Sequence, residues 1–189
     1  MAVEKGTPDT FPKLLVSHAL ARGDSPAIRE KALGIWQTWT WRDVEQEARA
    51  LACGLAAQGL QHGRHLAVIG ANRPRLYCAL AAAQSLRAIP VPFYEDAPAQ
   101  EMIYVFQNAE IEFAIVEDQE QANKLFEILP QCPQLKRIYY DDPRGLRHYR
   151  QPELASYESL RETGRAWASS TPAFSRTRSR VHSAPTPRS

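Results

Sequence analysis

Between residues 65 and 140 short apolar runs alternate with segments of helical pattern, and this alternation leaves few folds open. His65–Gly70 has the character of a short buried strand, and the Ala- and Leu-rich stretch 73–87 that of a helix, with Asn72 placed to cap it and Pro74 in its tolerant first turn. Ile89–Tyr94 is extended, because Pro90 and Pro92 disfavour helix and bias the residues before them away from it. Those prolines argue for an edge, a strand end or a loop rather than a fully paired central strand. Residues 98–109 follow as a helix with Met102, Val105, Phe106 and Ala109 on one side, then a strand over 112–116. A helix over 119–129, ended by Pro130 and Pro133, leads to a strand over 135–140. Asp142-Pro143-Arg144-Gly145 carries the residue types of a type I turn, and residues 153–164 suit a last short helix. Strand–helix alternation of this kind calls for a parallel sheet with right-handed crossovers. Strand order does not follow from it.

The stretch before residue 65 prefixes this unit with other elements. Residues 11–22 place Leu14, Leu15, Ala19 and Leu20 near one face of a short helix ended by Gly23. Residues 26–30 and 35–41 suit two strands of a hairpin joined by Lys31-Ala32-Leu33-Gly34. Thr40, followed three residues later by Asp43, approximates a capping box. Beyond it Val44, Ala48, Leu51, Ala52 and Leu55 form one helical stripe, which Gly59 is placed to close. The fold class is therefore α/β: a mostly parallel sheet with flanking helices, preceded by a helix and a β-hairpin.

Composition divides the chain unevenly. Of its 189 residues 44% are hydrophobic, enough for one globular core. Residues 169–189 hold Arg176, Arg178, Arg180 and Arg188, no acid, and mostly Ser, Thr and Pro otherwise, so they cannot bury enough surface to offset their ordering entropy. The expected organisation is a flexible N-terminus over 1–10, one folded unit over 11–167 and a disordered tail over 168–189. With the tail's arginines set aside, the body has slightly more acids than bases, so no broad basic field for nucleic acid exists. Cys53, Cys78 and Cys132 are odd in number and far apart, which suits buried thiols in a reducing cytoplasm rather than a zinc site or disulfides. The longest small-apolar run falls far short of a membrane span, while contact with a membrane surface stays open.

No set of residues forms a complete catalytic, cofactor-binding or metal-binding motif. All nine glycines are isolated, whereas a phosphate-cradling loop needs several close together. Gly54-x-x-x-x-Gly59 has P-loop spacing, but Leu60 and Gln61 stand where Lys and Ser/Thr belong, so a helix glycine and a helix end are expected there. Ile69-Gly70-Ala71-Asn72-Arg73 lies where a dinucleotide-binding turn would, with one glycine instead of three; a helix N-terminus and Arg73 could still attract an anion. His18, His62, His65, His148 and His182 form no close pair. The acid pairs Glu117-Asp118 and Asp141-Asp142 follow strands, where caps and turns use Asp routinely, and Ser17, Ser85 and Ser156 lack a nucleophile-elbow setting.

A family resemblance rests on ordered motifs. Thr40-Trp41-x-Asp43-Val44 is followed by the Ala/Leu helix ending at Gly59-Leu60, then by Leu66-Ala67-Val68-Ile69-Gly70-Ala71-Asn72-Arg73-Pro74. Next comes Ala81-Ala82-x-Gln84-x-Leu86-x-Ala88-Ile89-Pro90-Val91-Pro92-Phe93-Tyr94. Together they resemble the N-terminal part of AMP-forming acyl-CoA synthetases over roughly residues 10–165. Glu117-Asp118-Gln119-Glu120-Gln121 and Tyr140-Asp141-Asp142-Pro143-Arg144-Gly145-Leu146 are most similar to the long-chain fatty-acid branch. The resemblance implies ATP, Mg and coenzyme A as the intact family's cofactors and co-substrates, a fatty acid as substrate, and acyl-adenylate followed by acyl-CoA formation. It implies a Ser/Thr/Gly-rich phosphate loop soon after residues 150–165, where this chain has 169–189, so no catalytic residue transfers. The expectation is an N-terminal portion, truncated before that loop and inactive alone, with a tail that is an out-of-frame or otherwise aberrant ending. Two rivals are a free-standing α/β module binding a nucleotide or acyl group, and an interaction protein using its basic tail.

Overall fold

The structure, a computed structural model, describes residues 8–170. Helix α1 (Phe11–Arg22) leads into the antiparallel hairpin of β1 (Pro26–Ala32) and β2 (Ile35–Thr40), followed by the long helix α2 (Trp41–Ala57). Then come β3 (His65–Ile69), α3 (Pro74–Ser85), β4 (Ile89–Phe93), α4 (Ala99–Asn108), β5 (Phe113–Val116), α5 (Gln119–Ile128) with a short 3-10 turn, β6 (Arg137–Tyr140), β7 (Leu154–Ser156) and α6 (Tyr157–Ser170). Strands β3 to β7 form one parallel sheet in the order β4-β3-β5-β6-β7. The α/β class, the parallel sheet and the preceding helix and hairpin agree with the sequence.

Period-2 alternation sorts the strands' side chains onto two faces. Leu66, Val68, Phe113 and Ile115 join one core with α2, α3 and α6. Ala67, Ile69, Ala114, Val116 and Ile138 join the other with α4 and α5. The chain steps from β3 to β4 in one direction and then returns past β3 to β5, so helices cover both faces, as right-handed crossovers demand. β4 is indeed an edge. The Ile89 N–H donates inward to the Arg64 carbonyl at 2.8 Å, so alternation turns positions 90 and 92 outward, and both are prolines.

Local signals hold at several helix ends. The Thr40 hydroxyl accepts from the Asp43 N–H at 3.2 Å while the Thr40 N–H donates to the Asp43 carboxylate at 2.9 Å, completing the capping box. The C-terminus of α2 closes with Gly59 N–H to Ala56 and Leu60 N–H to Leu55, the paired bonds of a Schellman motif. The residues Val44, Ala48, Leu51, Ala52 and Leu55 are all buried.

Other expectations change. Strand β1 continues through Ala32, so the hairpin turn is only Leu33-Gly34, both at positive φ (50° and 82°). A leucine in that region costs about 1–2 kcal/mol. Trp41 begins α2 instead of ending β2, because the Thr40 cap starts the helix there. Helix α3 is capped at Arg73 with no side-chain bond, so Asn72 is not its cap. Strand β7 was not foreseen: its three residues are too few for a periodic signal. Helix α6 begins at Tyr157, capped by the Ser156 hydroxyl accepting from Ser159 N–H at 3.1 Å, and runs to Ser170, three residues past the expected tail boundary. It continues because it packs along α2. The remainder of that tail, 171–189, and residues 1–7 lie outside the described residues.

The α2–α6 contact requires two glycines. A Cβ on Gly164 would lie 1.8 Å from the Ala50 carbonyl oxygen and 2.6 Å from the Gly54 nitrogen. One on Gly54 would lie 2.3 Å from the Leu160 oxygen. All of these contacts are with backbone, which cannot swing aside. We expect Gly164→Ala to cost about 2–3 kcal/mol despite its better helix propensity, read as a lower urea midpoint; an unchanged midpoint would contradict this packing. The cap carries a pH signature too. Hydrogen bonds from Thr40 hold the Asp43 carboxyl below its ordinary 3.8, so its stabilisation is complete above that value and is lost as pH falls through the depressed one. Thr40→Ala is expected to lose about 1 kcal/mol at neutral pH and to show a shallower decline in stability below pH ~4 in urea titrations.

Candidate functional site

The β3–β5 junction, where the direction of strand addition reverses, opens a crevice beyond the strands' C-terminal ends, the place where sheets of this kind hold ligands. A cleft of about 950 Å³ lies there. Its lining comes from the turn after β3 (Arg73), the first turn of α3 (Arg75), and the turns after β5 (Glu117) and β6 (Asp141, Asp142, Arg144). The hairpin, the start of α2 (Asp43, Gln46, Glu47) and the middle of α6 (Arg161, Arg165) close its other sides.

At the junction itself the chain supplies its own anion. One Glu117 carboxylate oxygen accepts from the Ala71 N–H at 2.6 Å and the other from Arg73 Nε at 3.0 Å. Gly70 makes this approach possible: its φ is 146°, and a Cβ there would sit 2.5 Å from the Glu117 Cβ. The turn over 69–73 does attract a negative group, as the sequence allowed, and that group is Glu117. The Arg73 guanidinium is held above its ordinary value chiefly by this hydrogen bond.

Deeper in, charges pair across elements. Arg75 reaches Asp141 at 2.7 Å and lies over the Tyr157 ring at 5.1 Å; burial is the strongest single influence and opposes its charge, but the hydrogen bond and charge of Asp141, with Tyr157 and Glu47, together more than offset it. Arg161 on α6 bonds Glu158 and, at 3.3 Å, Glu47 on α2. The other Glu47 oxygen and the Tyr157 and Tyr139 hydroxyls are buried without partners among the described residues. Beneath them burial pushes the Cys78 thiol up to about 12, and the Cys53 and Cys132 thiols are raised by the same cause. All three cysteines are free and buried, so none is poised as a nucleophile.

The residues weighed from sequence divide accordingly. Glu117, Asp141 and Asp142 do come together, and each has a basic partner: Arg73, Arg75 and Arg144. Asp118 instead caps α5, accepting from Gln121 N–H at 3.2 Å. The turn after β6 closes one residue later than expected, from Leu146 N–H to the Pro143 carbonyl, because the Asp142 carboxylate takes the Arg144 N–H at 2.9 Å. Gly54 is a helix-contact glycine and Gly59 a helix end. Ser85 bonds back to the Ala81 carbonyl within α3, and Ser17 lies within α1. His18 packs against Trp41 with the rings tilted and their centroids 4.6 Å apart, His65 opens β3 and His148 touches Arg147, while His182 lies outside the described residues. No cluster suited to a metal occurs among the described residues. Sequence reading missed Glu47, Arg75 and Arg161. Glu47 had a signal: it stands three residues after Val44 and four before Leu51, on the apolar face of α2.

Removing the internal anion has a defined consequence. Glu117→Ala is expected to lower stability by about 1–3 kcal/mol, since the Ala71 N–H and Arg73 lose their acceptor. Millimolar inorganic phosphate should restore part of that loss in the variant and leave the parent unchanged in thermal unfolding.

Comparison with known proteins follows the same outline. A family described as "AMP-binding enzyme" matches residues 15–178. The uncharacterized protein Rv1549 of Mycobacterium tuberculosis (strain ATCC 25618 / H37Rv) is 35% identical over 96 residues, which are 51% of this chain and 55% of that protein. The long-chain-fatty-acid–CoA ligase ACSBG2 of Xenopus laevis is 26% identical over 160 residues, 84% of this chain and 21% of the ligase. Among solved structures, the acetoacetyl-CoA synthetase of Streptomyces lividans superposes with a TM-score of 0.70 at 19% identity, over 79% of this chain and 24% of the synthetase. The chain thus spans about half the length of the first relative and about a fifth of the ligase. The matched stretch includes the hairpin, the switch-point turn and the whole parallel sheet, and on that evidence the chain belongs to the AMP-binding enzyme family.

Proposed function

We propose that this chain forms the N-terminal part of an ATP-dependent long-chain fatty acid–CoA ligase, and that these 189 residues do not form the acyl-adenylate alone. The observation that carries the second half is Glu117. The position at the switch point best suited to a phosphate already holds a carboxylate on Ala71 N–H and Arg73. The isolated glycines offer no alternative cradle. In this reading ATP, Mg and coenzyme A are held by parts of the enzyme beyond this stretch, and this stretch supplies the scaffold against which they close. The three buried free thiols suit a reducing cytoplasm. Among the described residues no helix is long and apolar enough to cross a membrane.

One observation favours a second reading, a free-standing α/β module that holds a nucleotide or acyl group. The cleft of about 950 Å³ is of a size that takes small ligands, and the matched 96 residues are about half of Rv1549 just as they are about half of this chain.

The two readings separate by experiment. The purified chain is expected to show no fatty-acid-dependent ATP–pyrophosphate exchange above a blank. A chimera carrying residues 11–167 in place of the matching part of a long-chain ligase is expected to regain it. Exchange that co-purifies with the chain alone would overturn inactivity. A folded but inactive chimera would overturn the ligase reading, and stoichiometric nucleotide or fatty-acid binding in calorimetry would favour the module.

A further inference from the structure

The end of the β1–β2 hairpin has a composition that water does not favour. Leu33 is 94% exposed, Ile35 65% and Trp36 61%, three large apolar side chains within four residues. Leu33 also occupies a left-handed backbone position at a turn where Asn or Gly is usual. Neither exposure nor conformation is relieved by anything the described residues provide, so the tip is suited to a contact outside them.

Charge narrows what that contact is. Lys31 stands directly across from Trp36, and the Arg29 guanidinium lies over the Trp36 ring at 5.5 Å. Neither cation has an ion-pair partner among the described residues. Residues 31–38 contain no acid, and the nearest one, Glu30, is directed to Arg73 at 3.8 Å on the opposite face of the ribbon. Leu33 and Ile35 at the turn, Trp36 level with Lys31 one pair further back, and Arg29 two pairs behind that grade from apolar to cationic, the order met on entering an anionic bilayer from acyl chain to headgroup.

We propose that this hairpin end is a membrane-docking tip, which inserts Leu33, Ile35 and Trp36 end-on into the interfacial layer of an anionic bilayer while Arg29 and Lys31 meet the headgroup phosphates. Geometry favours lipid over a protein partner. A stable protein interface needs about 800 Å² from each side, more than one convex hairpin end presents, whereas a bilayer accepts a small projecting tip of any outline. The binding is reversible, and the cationic part weakens with salt. The inference does not depend on the ligase reading, because its test contains no substrate.

The test is flotation of the full chain with phosphatidylcholine vesicles, with and without phosphatidylglycerol. The parent is expected to float with the anionic vesicles, less so at high salt. The double variant Leu33→Asn, Trp36→Gln places Asn-Gly in the turn, which keeps the hairpin folded; circular dichroism and thermal unfolding check this. Its partition is expected to fall by roughly tenfold or more. Arg29→Gln with Lys31→Gln is expected to remove the preference for anionic vesicles. A parent that stays with the soluble fraction, or a double variant that floats like the parent, would overturn the proposal. So would sedimentation equilibrium without lipid that shows a parent dimer and a monomeric double variant, since the tip would then join two copies of the chain.

Discussion

The backbone-to-backbone approach of α2 and α6 is the contact on which the arrangement of the cleft depends. Gly164 rests on the Ala50 carbonyl and the Gly54 nitrogen, an approach that any side chain would prevent. With the helices that close, Arg161 reaches Glu47 and Leu160 enters the core against α2. Tyr157, at the start of α6, is then drawn under Arg75, which in turn holds Asp141 at the end of β6. One tight crossing therefore fixes a side wall of the cleft and ties the loop after β6 to α3. The two glycines weaken their own helices by roughly 1 kcal/mol each, and the packing they permit offsets that cost.

The cleft combines strong local electrostatics with little net charge. Glu117 satisfies the turn after β3, Asp141 satisfies Arg75, and Asp142 is held below its ordinary value first by Arg144. A fold that places helix N-termini and arginines around a crevice has an intrinsic appetite for anions. Here that appetite is met from within, residue by residue. This explains how a member of a nucleotide-using family can keep the family's scaffold in this stretch while the described cleft holds so few unpaired cations.

Much of the fold was legible because its signals are local. The capping box at Thr40 and Asp43, the stripe from Val44 to Leu55 and the two prolines of β4 each act within a few residues, and each appears where it was read. Strand order was not legible, since it is decided by which faces of the sheet remain to be covered. β7 was missed because Leu154–Ser156 is too short for periodicity, and its partner β6 is what makes it a strand. The site was legible only in halves. Gly70, Arg73 and Glu117 were each singled out, but 44 residues separate the ion pair, and nothing local announces that one carboxylate will answer the other's turn. Glu47 was visible as an acid on an apolar stripe, a clue that needed only to be weighed against the stripe's period.

The outward prolines of β4 give the sheet a direction of growth. Along that strand every position whose nitrogen turns away from β3 lacks a hydrogen to give, so an approaching strand would find carbonyls but no donors. Among the described residues the opposite margin, β7, contains no proline. A backbone extending this sheet is therefore disfavoured beside β4, a margin guarded by two prolines and no charged residue.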